Sequence, residues 1–410
     1  QVEFFKGLTY VGDENRIFDS RNGQRMKQES FNAIYGGYKF FLDCDQAASV
    51  TKAWTAFTES QGFCFPKVSS TAFLPTRAPG AVMDLHGVRI LNTYVDKPPA
   101  MKEGDPSRFL QHLRKLLPND SDYEHVLAYM AAIVQYKGIK FGWCPLIQGC
   151  EGNGKTMLSR AVAFAVGDDY SHFPNAADID NKFNGWLEGK IFIGVEDVFI
   201  ANGRQEVMEA LKPMITGSRQ DIQRKGQDQS TKDICCNFML NSNHKDAIKK
   251  TENDRRFAVY YSAQQEVSHL KRDGMNTAYF NGLWDWLRGP EAGFAIVAKY
   301  LTEYAIPDHL NPATGCPRAP QTSSHDEAVG LSKGRLEQEI EEAIGSGRCG
   351  FRGGWISTLQ LKLLFKESNK SLTPKKMSQL LDDEGYIKHP ALSDGRANNS
   401  IPMDGGKPRL

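Results

Sequence analysis

A phosphate-binding motif is the strongest chemical signal in the sequence. The segment from Gly149 to Thr156 reads GCEGNGKT and matches the pattern G-x-x-x-x-G-K-[ST]. In this pattern backbone N–H groups surround phosphate oxygens, Lys155 neutralises the β- and γ-phosphates, and the Thr156 hydroxyl ligates Mg²⁺. An apolar run precedes the motif and a helical pattern follows it, so the positive end of that helix would face the phosphates. The sequence therefore predicts a site for ATP and Mg²⁺. The predicted nucleotide contacts are Gly149, Glu151, Gly152, Asn153, Gly154, Lys155, Thr156 and Met157.

Polar side chains end two further apolar runs. IFIGV at 191–195 is followed by Glu196 and Asp197, and FML at 238–240 leads to Asn243. One carboxylate would complete the Mg²⁺ shell and the other would polarise the attacking water. Neighbouring strand residues point to opposite faces, so the two roles differ, but the sequence leaves open which residue has which. An Asn at the third position can sense the γ-phosphate, although it is also a common turn former.

Two adjacent arginines precede a fourth apolar run. Arg255 and Arg256 come directly before FAVYY at 257–261. An arginine that enters the site of a neighbouring subunit would stabilise charge on the transferring phosphoryl group. The alternative is a surface ion pair with Asp254 or Glu252.

A basic segment lies between the second and third apolar runs. Residues 219–233 read RQDIQRKGQDQSTKD, and Gly226 stands between alternating polar residues. This pattern predicts a β-hairpin whose tip carries Arg224 and Lys225, side chains that can contact the phosphates of DNA. An ordinary solvated hairpin is the alternative.

The elements that must position these residues are strands alternating with helices. Four nearly continuous apolar runs, typical of strands covered on both faces, predict an α/β fold with a parallel sheet. They lie at 144–148, 190–196, 234–240 and 256–261. Helical periodicity from Phe109 to Val134 predicts two amphipathic helices before the phosphate-binding motif.

The organisation along the chain suggests three domains and a linker. Residues 1–104, broken by prolines, are predicted to form a mixed α/β accessory region. Residues 105–304 would form the ATPase domain with its leading helices. The segment 305–330, rich in proline and small polar residues, is predicted to be a linker. Residues 331–410 have the outline of a winged helix, with three helices and a hairpin.

The predicted tail domain rests on a few positions. Leu359, Leu363 and Leu364 mark the second helix, and Tyr386 with Ile387 would begin the hairpin. The third helix carries polar residues that could read a DNA groove or simply face solvent. They are Lys375, Lys376, Ser378 and Gln379.

Composition excludes several classes of protein. Among 410 residues, 50 Lys and Arg balance 49 Asp and Glu, so nucleic acid would have to bind through a local basic patch. The eight Cys form no C-x-x-C pair and no zinc-ligand pattern with the nine His. The longest apolar stretch, at 126–134, is too short to span a bilayer. These features predict a protein of the host cytoplasm or nucleoid without membrane contact. The first residue, Gln1, suggests a piece of a longer protein.

Taken in order, the motifs resemble those of superfamily 3 helicases, and more specifically the primase–helicases of phages and poxviruses. The resemblance implies a modified AAA+ P-loop ATPase core, a homohexameric ring with ATP sites between subunits, and 3′-to-5′ translocation on single-stranded or forked DNA. Asn243 matches the family's motif C asparagine. Arg256, or Arg255 beside it, matches the arginine finger, and Lys225 matches the DNA-contacting lysine of the B′ hairpin. A primase would be fused upstream or supplied in trans. Two features depart from the family. The hairpin lacks the Lys-His pair of some members. If Glu196 is the residue that polarises water, the position that is Asp in many phage relatives is the apolar Val195 here.

Other interpretations compete with a helicase. An origin-recognition or loading ATPase would grip DNA without unwinding it, and a P-loop kinase would need an acceptor pocket and a lid. Asp43 and Asp45 have the D-x-D form of a primase metal site, although a lone D-x-D is a weak motif.

Four aromatic residues are interpreted as core rather than as base-stacking platforms. They are Phe183, Trp186, Trp284 and Trp286.

Overall fold

The computed structural model divides the chain into two compact units. The first comprises Gln1–Ile248 with Glu252–Asp326, and the second comprises Lys249–Thr251 with Glu327–Leu410. The described residues are 1–85, 87–179, 181, 183–197, 205–223, 229–245, 247–248, 250–332, 335–352, 354–367, 373–383 and 385–387. Within these ranges no helix combines the length and apolar character that a membrane span requires.

The amino-terminal part of the first unit is built from short strands and two helices. The elements are β1 (Leu8–Val11), β2 (Arg16–Asp19), β3 (Gln24–Met26), α1 (Gln28–Tyr35), β4 (Phe40–Phe41), β5 (Ser49–Val50), α2 (Ala53–Thr58), β6 (Lys67–Val68), β7 (Ser70–Ala72), β8 (Val82–Leu85) and β9 (Val88–Asn92). The strands form a sheet in the order β3-β2-β1-β6, a second in the order β7-β9-β8, and the pair β4-β5. Aromatic rings fill the core beneath them, with Phe57 and Phe65 stacked at 4.8 Å between centroids.

Two helices precede the central sheet, as the periodicity predicts. They are α3 (Ser107–Leu116) and α4 (Asp120–Gln135). The Asn119 side chain accepts the Asp122 N–H and caps α4. Every residue from 126 to 134 is buried, so this helix is packed on all sides. The hydroxyl of Tyr129 lies 2.9 Å from the Trp143 carbonyl oxygen and 3.0 Å from that of Phe238, which fixes α4 to the sheet.

The central sheet has five parallel strands. The elements of this region are β10 (Cys144–Gln148), α5 (Lys155–Val166), β11 (Ser171–His172), α6 (Ala176–Ile179), β12 (Phe192–Val195), α7 (Gln205–Thr216), β13 (Arg219–Ile222), β14 (Ser230–Asp233), β15 (Asn237–Ser242) and β16 (Phe257–Tyr261). The strand order is β11-β12-β15-β10-β16, and every pairing in it is parallel. Strand β10, with the phosphate-binding motif at its end, therefore has β15 on one side and β16 on the other. The carboxyl ends of β10, β12 and β15 meet at one edge.

Three helices complete the core of the first unit. They are α8 (Val267–Arg272), α9 (Thr277–Arg288) and α10 (Gly293–Glu303). Helix α10 packs on α5, where the Phe164 and Phe294 rings stack at 5.6 Å. Of the four aromatic residues interpreted as core, Trp286 alone is fully buried, whereas Phe183 and Trp186 are half-buried.

Part of the predicted linker lies along the edge strand β16. The Thr322 hydroxyl donates to the Val259 carbonyl oxygen at 2.5 Å. The Tyr261 N–H donates to Ser324 Oγ at 2.9 Å. These hydrogen bonds satisfy backbone N–H and C=O groups on the side of β16 that has no neighbouring strand. Residues 319–324 are thus an ordered part of the first unit.

The second unit contains a small helical core. Its helices are α11 (His325–Ser332), which begins at the unit boundary, α12 (Arg335–Gly345), α13 (Thr358–Glu367) and α14 (Pro374–Asp383). Helix α13 turns Leu361, Leu364 and Phe365 inward, while Leu359 and Leu363 are exposed. Of the three residues that mark this helix in the sequence, Leu364 alone is therefore buried.

The predicted wing is only partly within the described residues. Tyr386 and Ile387 form no strand, and Ile387 is 84% exposed, so the hairpin does not begin where the sequence predicts. The residues after 387 lie outside the described part of the chain.

Candidate active site

The phosphate-binding motif forms a tight loop between β10 and α5. Gly152 and Gly154 have φ values of 78° and 87°, a region that glycine adopts without steric cost. Gly154 is the N-cap of α5, so the amino end of this helix faces the loop. The buried Asn153 side chain donates to Ser262 Oγ at 3.0 Å and anchors the loop beside β16.

Lys155 is the charged centre of the loop. Its side chain is mostly buried, and Nζ donates to the Gly149 carbonyl oxygen at 2.8 Å and to Asn243 Oδ1 at 2.9 Å. Burial lowers the pKa of Lys155, and the Cys150 thiol and nearby carboxylates oppose that shift. A buried ammonium held by neutral oxygens is well placed to attract phosphate oxygens. Of the predicted nucleotide contacts, Gly149 alone does not line the adjoining cavity, because its carbonyl faces Lys155.

Thr156 and Glu196 form the second contact of the site. Thr156, in the first turn of α5, donates its hydroxyl to Glu196 Oε2 at 2.7 Å. The buried Asn241 amide stands 3.3 Å from the same carboxylate oxygen and 3.0 Å from Ser159 Oγ. Glu196 is thus oriented by one residue of α5 and one of β15.

This pair fits a hard cation. A hydroxyl and a carboxylate oxygen are the ligand types that Mg²⁺ prefers, and Mg²⁺ usually takes one or two protein carboxylates plus substrate phosphates. Among the residues that the structure describes there is no cluster of three or more His, Cys, Asp or Glu suited to a metal. The donor set therefore suits a metal whose other ligands come from a nucleotide and water.

Asp197 faces a different partner from its neighbour. It has φ of 52°, a conformation uncommon for a residue with a side chain, at the point where the chain leaves β12. Its Oδ1 accepts the Asn243 amide at 2.9 Å, and that same Asn243 accepts from Lys155. The structure therefore brings together five of the residues that the motifs predict: Lys155, Thr156, Glu196, Asp197 and Asn243.

Asn241 is a site residue that the sequence analysis missed. It lies on β15 two positions before Asn243, so its side chain leaves the strand on the same face. The two-residue spacing of Asn241 and Asn243 within FMLNSN could have indicated that both face the site. The sequence analysis considered only the residue after the strand, Asn243.

A cavity of about 980 Å³ opens beside the loop. One wall consists of motif residues with Glu196, Asp197 and Asn243. The other comes from α8 and α9 and is largely apolar. Its apolar members are Val267, Leu270, Met275, Phe280 and Trp284. Trp284 is therefore half-buried at the cavity and not in the core, contrary to its prediction.

The two arginines do not join this cluster. Arg255 is exposed and Arg256 is half-buried at the amino end of β16, whereas the phosphate-binding loop follows the carboxyl end of β10. The strands are parallel and in register over 144–148 and 257–261, so the length of the strand, roughly 16 Å, separates Arg256 from the loop of its own chain.

The predicted basic hairpin is present as the pair β13-β14. Strand register pairs Arg219 with Asp233, and their side chains form an ion pair at 3.2 Å. Asn184 supports the hairpin by donating to the Asp221 carbonyl oxygen at 2.9 Å. Arg224 and Lys225, the predicted DNA contacts, lie outside the described residues.

Two weaker predictions from the sequence, the D-x-D motif and the polar face of the third tail helix, fall on described residues. Asp43 Oδ1 accepts the Ala47 N–H at 2.9 Å and Oδ2 accepts that of Ala48 at 2.7 Å. This carboxylate therefore holds a turn, and Asp45 beside it is exposed. On α14, Lys375 and Lys376 are exposed.

Comparisons with known proteins find similarity to a family of unknown function and to a phage protein. A family model described as a family of unknown function (DUF5906) matches residues 147–256. The DNA primase-polymerase of Nitratiruptor phage NrS-1 is 29% identical over 181 residues, which cover 42% of this chain and 25% of that protein. The chain thus spans about a quarter of the length of this relative.

Solved structures of the NrS-1 C-terminal region share the fold. One apo structure matches 100% of this chain and 96% of its own, with a TM-score of 0.68 and 18% identity. Another, the A form, matches 93% of this chain and 84% of its own, with a TM-score of 0.63 and 16% identity. The likeness extends over nearly the whole chain, including the parts outside the family match.

Proposed function

We propose that the chain is an ATP- and Mg²⁺-dependent DNA helicase of the superfamily 3 type. It would translocate 3′-to-5′ on single-stranded DNA in phage, viral or mobile-element replication, as the helicase part of a primase–helicase. The convergence of Lys155, Thr156, Glu196, Asp197 and Asn243 at one edge of a parallel sheet carries the proposal. The similarity to a phage protein named as a DNA primase-polymerase supports its place in replication.

The two carboxylates divide the chemistry between them in this proposal. Glu196 contacts Thr156 and holds the Mg²⁺ shell together with that hydroxyl, since both offer oxygen to one point. Asp197, linked through Asn243 to the lysine, orients and deprotonates the attacking water. The apolar Val195 then needs no metal role, which accounts for the departure from the pattern of phage relatives. When bound, Mg²⁺ would be held by Thr156 and Glu196 and would supply positive charge that offsets the charge developing on the transferring phosphoryl group.

The apolar wall of the cavity takes the nucleobase. Phe280 and Trp284 offer ring surfaces, and Leu270 and Met275 add apolar surface to the same cavity. A triphosphate that lies along the motif would direct its base toward these α8 and α9 side chains. Contact of the nucleobase with this wall determines nucleotide affinity, while the motif and the carboxylates catalyse the hydrolysis.

The remaining roles require a ring of copies. Arg256 lies a strand length from the site of its own chain, so it would act in the site of a neighbouring subunit of a hexamer. The hairpin β13-β14 would present Lys225 and Arg224 to DNA in the channel, and hydrolysis would move these tips along the strand. The core would be a modified AAA+ fold and the second unit a winged-helix-like domain.

Strand separation is the experiment that tests the helicase proposal. We expect ATP- and Mg²⁺-dependent unwinding of a duplex with a 3′ single-stranded tail and little unwinding of the same duplex with a 5′ tail. DNA binding and ATP turnover without unwinding of either substrate would favour an origin-recognition or loading ATPase. Phosphate transfer to a small molecule, independent of DNA, would favour a kinase.

A further inference from the structure

A fully buried histidine lies behind the phosphate-binding loop. His112, on α3, is 0% exposed. Its Nε2 lies 3.2 Å from the Gly154 carbonyl oxygen, and its Nδ1 lies 3.0 Å from the Tyr279 hydroxyl. No sequence motif includes His112 or Tyr279, because α3 precedes the phosphate-binding motif in the chain and α9 follows it.

Burial and the partners together fix the form of the imidazole. A carbonyl oxygen only accepts, so Nε2 carries a proton and donates to Gly154. Burial lowers the pKa of His112 to about 4, so the ring is neutral in the physiological range. In the neutral ring Nδ1 is the acceptor, and the Tyr279 hydroxyl donates to it.

The ring is in close contact with the loop. A Cβ atom built on Gly154 would lie 2.6 Å from His112 Cε1 and Nε2 and 3.1 Å from Phe280 Cε1. The last glycine of the motif is thus enclosed by one side chain from α3 and one from α9. Other hydrogen bonds hold the loop from β16: the Cys150 N–H donates to the Gln264 carbonyl oxygen at 2.8 Å.

The same histidine connects the loop with the apolar wall of the cavity. Tyr279 directly precedes Phe280 on α9, and both Phe280 and Trp284 line that wall. A movement of α9 on contact with a base is therefore transmitted through the Tyr279 hydroxyl to His112 and the Gly154 carbonyl.

We propose that His112 and Tyr279 are positioning residues that hold the phosphate-binding loop in its binding conformation and couple it to the nucleobase wall. The proposal rests on the proposed ATP site but not on helicase action. Neither residue touches the reacting atoms. Loss of the bridge should therefore weaken the binding of the phosphates, while a nucleoside that lacks phosphates should bind as before.

Binding titrations on three variants of the full chain test this bridge. His112→Leu removes both hydrogen bonds, His112→Gln keeps an N–H that can reach Gly154, and Tyr279→Phe removes only the second bond. We expect His112→Leu to weaken ATP binding roughly tenfold to a hundredfold, with the other two variants losing less. Adenosine affinity should change by less than about twofold. In kinetics, the KM for ATP should rise more than kcat falls.

A double variant tests whether the pair acts as a unit. His112→Gln combined with Tyr279→Phe should cost no more than the more damaging single change, because either change breaks the same link. Additive losses would refute the coupling.

Lys155→Ala separates this proposal from the proposed function. If the wild type does not bind ATP, the proposed function fails. A second outcome refutes the bridge alone. In that outcome the wild type binds ATP, Lys155→Ala does not bind ATP, and all His112 and Tyr279 variants bind ATP as the wild type does. His112→Gln and Tyr279→Phe nearly preserve volume, so they decide the matter if His112→Leu does not fold. Equal loss of ATP and adenosine affinity would also overturn the proposal, since it would indicate general damage.

Discussion

The stability of the first unit should depend on pH through His112. The pKa of this side chain is lowered from 6.5 to about 4, first by burial and further by the charge of Lys115, while its bond to the Gly154 carbonyl opposes the shift. Tyr279 is the other titratable group against the ring. Below pH 6.5 the unfolded chain takes up a proton at this position and the folded chain does not. Stability is therefore lost as the pH falls from 7 toward 4, and this contribution levels off below that.

The size of the effect follows from the two pKa values. The full difference corresponds to about 3 kcal/mol, and about 2 kcal/mol of it is lost between pH 7 and pH 5. His112→Gln lacks the titrating group, so its stability should fall by about 2 kcal/mol less than that of the wild type over this interval.

Urea unfolding at pH 7, 6 and 5, followed by tryptophan fluorescence, measures this difference. His309→Gln is the matched control for the general effect of replacing a histidine by glutamine, because it changes an exposed histidine of the same unit. Parallel profiles for the wild type and His112→Gln would refute the argument, since they would show that His112 binds protons equally in both states.

Four further variants test the assigned roles. Glu196→Gln should raise the Mg²⁺ concentration for half-maximal turnover by about tenfold, while Asp197→Asn should keep the Mg²⁺ requirement and lower kcat by about 10²-fold or more. The reverse pattern would exchange the two roles. Arg256→Ala subunits mixed into wild type should reduce ATP turnover more than in proportion to their fraction, and a strictly proportional loss would exclude a finger in trans. Lys225→Ala should bind ATP normally and lose strand separation, so normal unwinding would remove this lysine from the DNA contact.

The sequence predicts the core of the site because its chemistry is local. A glycine-rich loop between a strand and a helix needs a fixed spacing of Gly149, Gly154 and Lys155, and that spacing is visible without the fold. Glu196 and Asn243 were predictable for a related reason: carboxyl ends of parallel strands meet at one edge, so polar residues after apolar runs come together.

Other features depend on packing between distant segments. His112 stands far from the motif in sequence and lies behind it because α3 packs beneath the loop. Trp284 has the periodicity of a core residue, and only the place of α9 beside the cavity turns it toward the site. The leucines at 359, 363 and 364 mark helix α13 in the sequence, but the position of the neighbouring helices decides which of them is buried.

The sequence also does not show which of Glu196 and Asp197 contacts Thr156. Strand alternation shows that the two residues differ, but not which of them meets Thr156. The left-handed φ of Asp197 bends the chain at that point and turns its carboxylate to Asn243. A helical or extended residue there would direct the carboxylate elsewhere.

ATP turnover with and without single-stranded DNA tests the central claim most directly. The assay should span protein concentrations over which subunits assemble and use Lys155→Ala as the blank. We expect turnover that DNA stimulates, that rises more steeply than protein concentration, and that Lys155→Ala abolishes. Turnover by the wild type no greater than that of Lys155→Ala at every concentration, with or without DNA, would contradict the account.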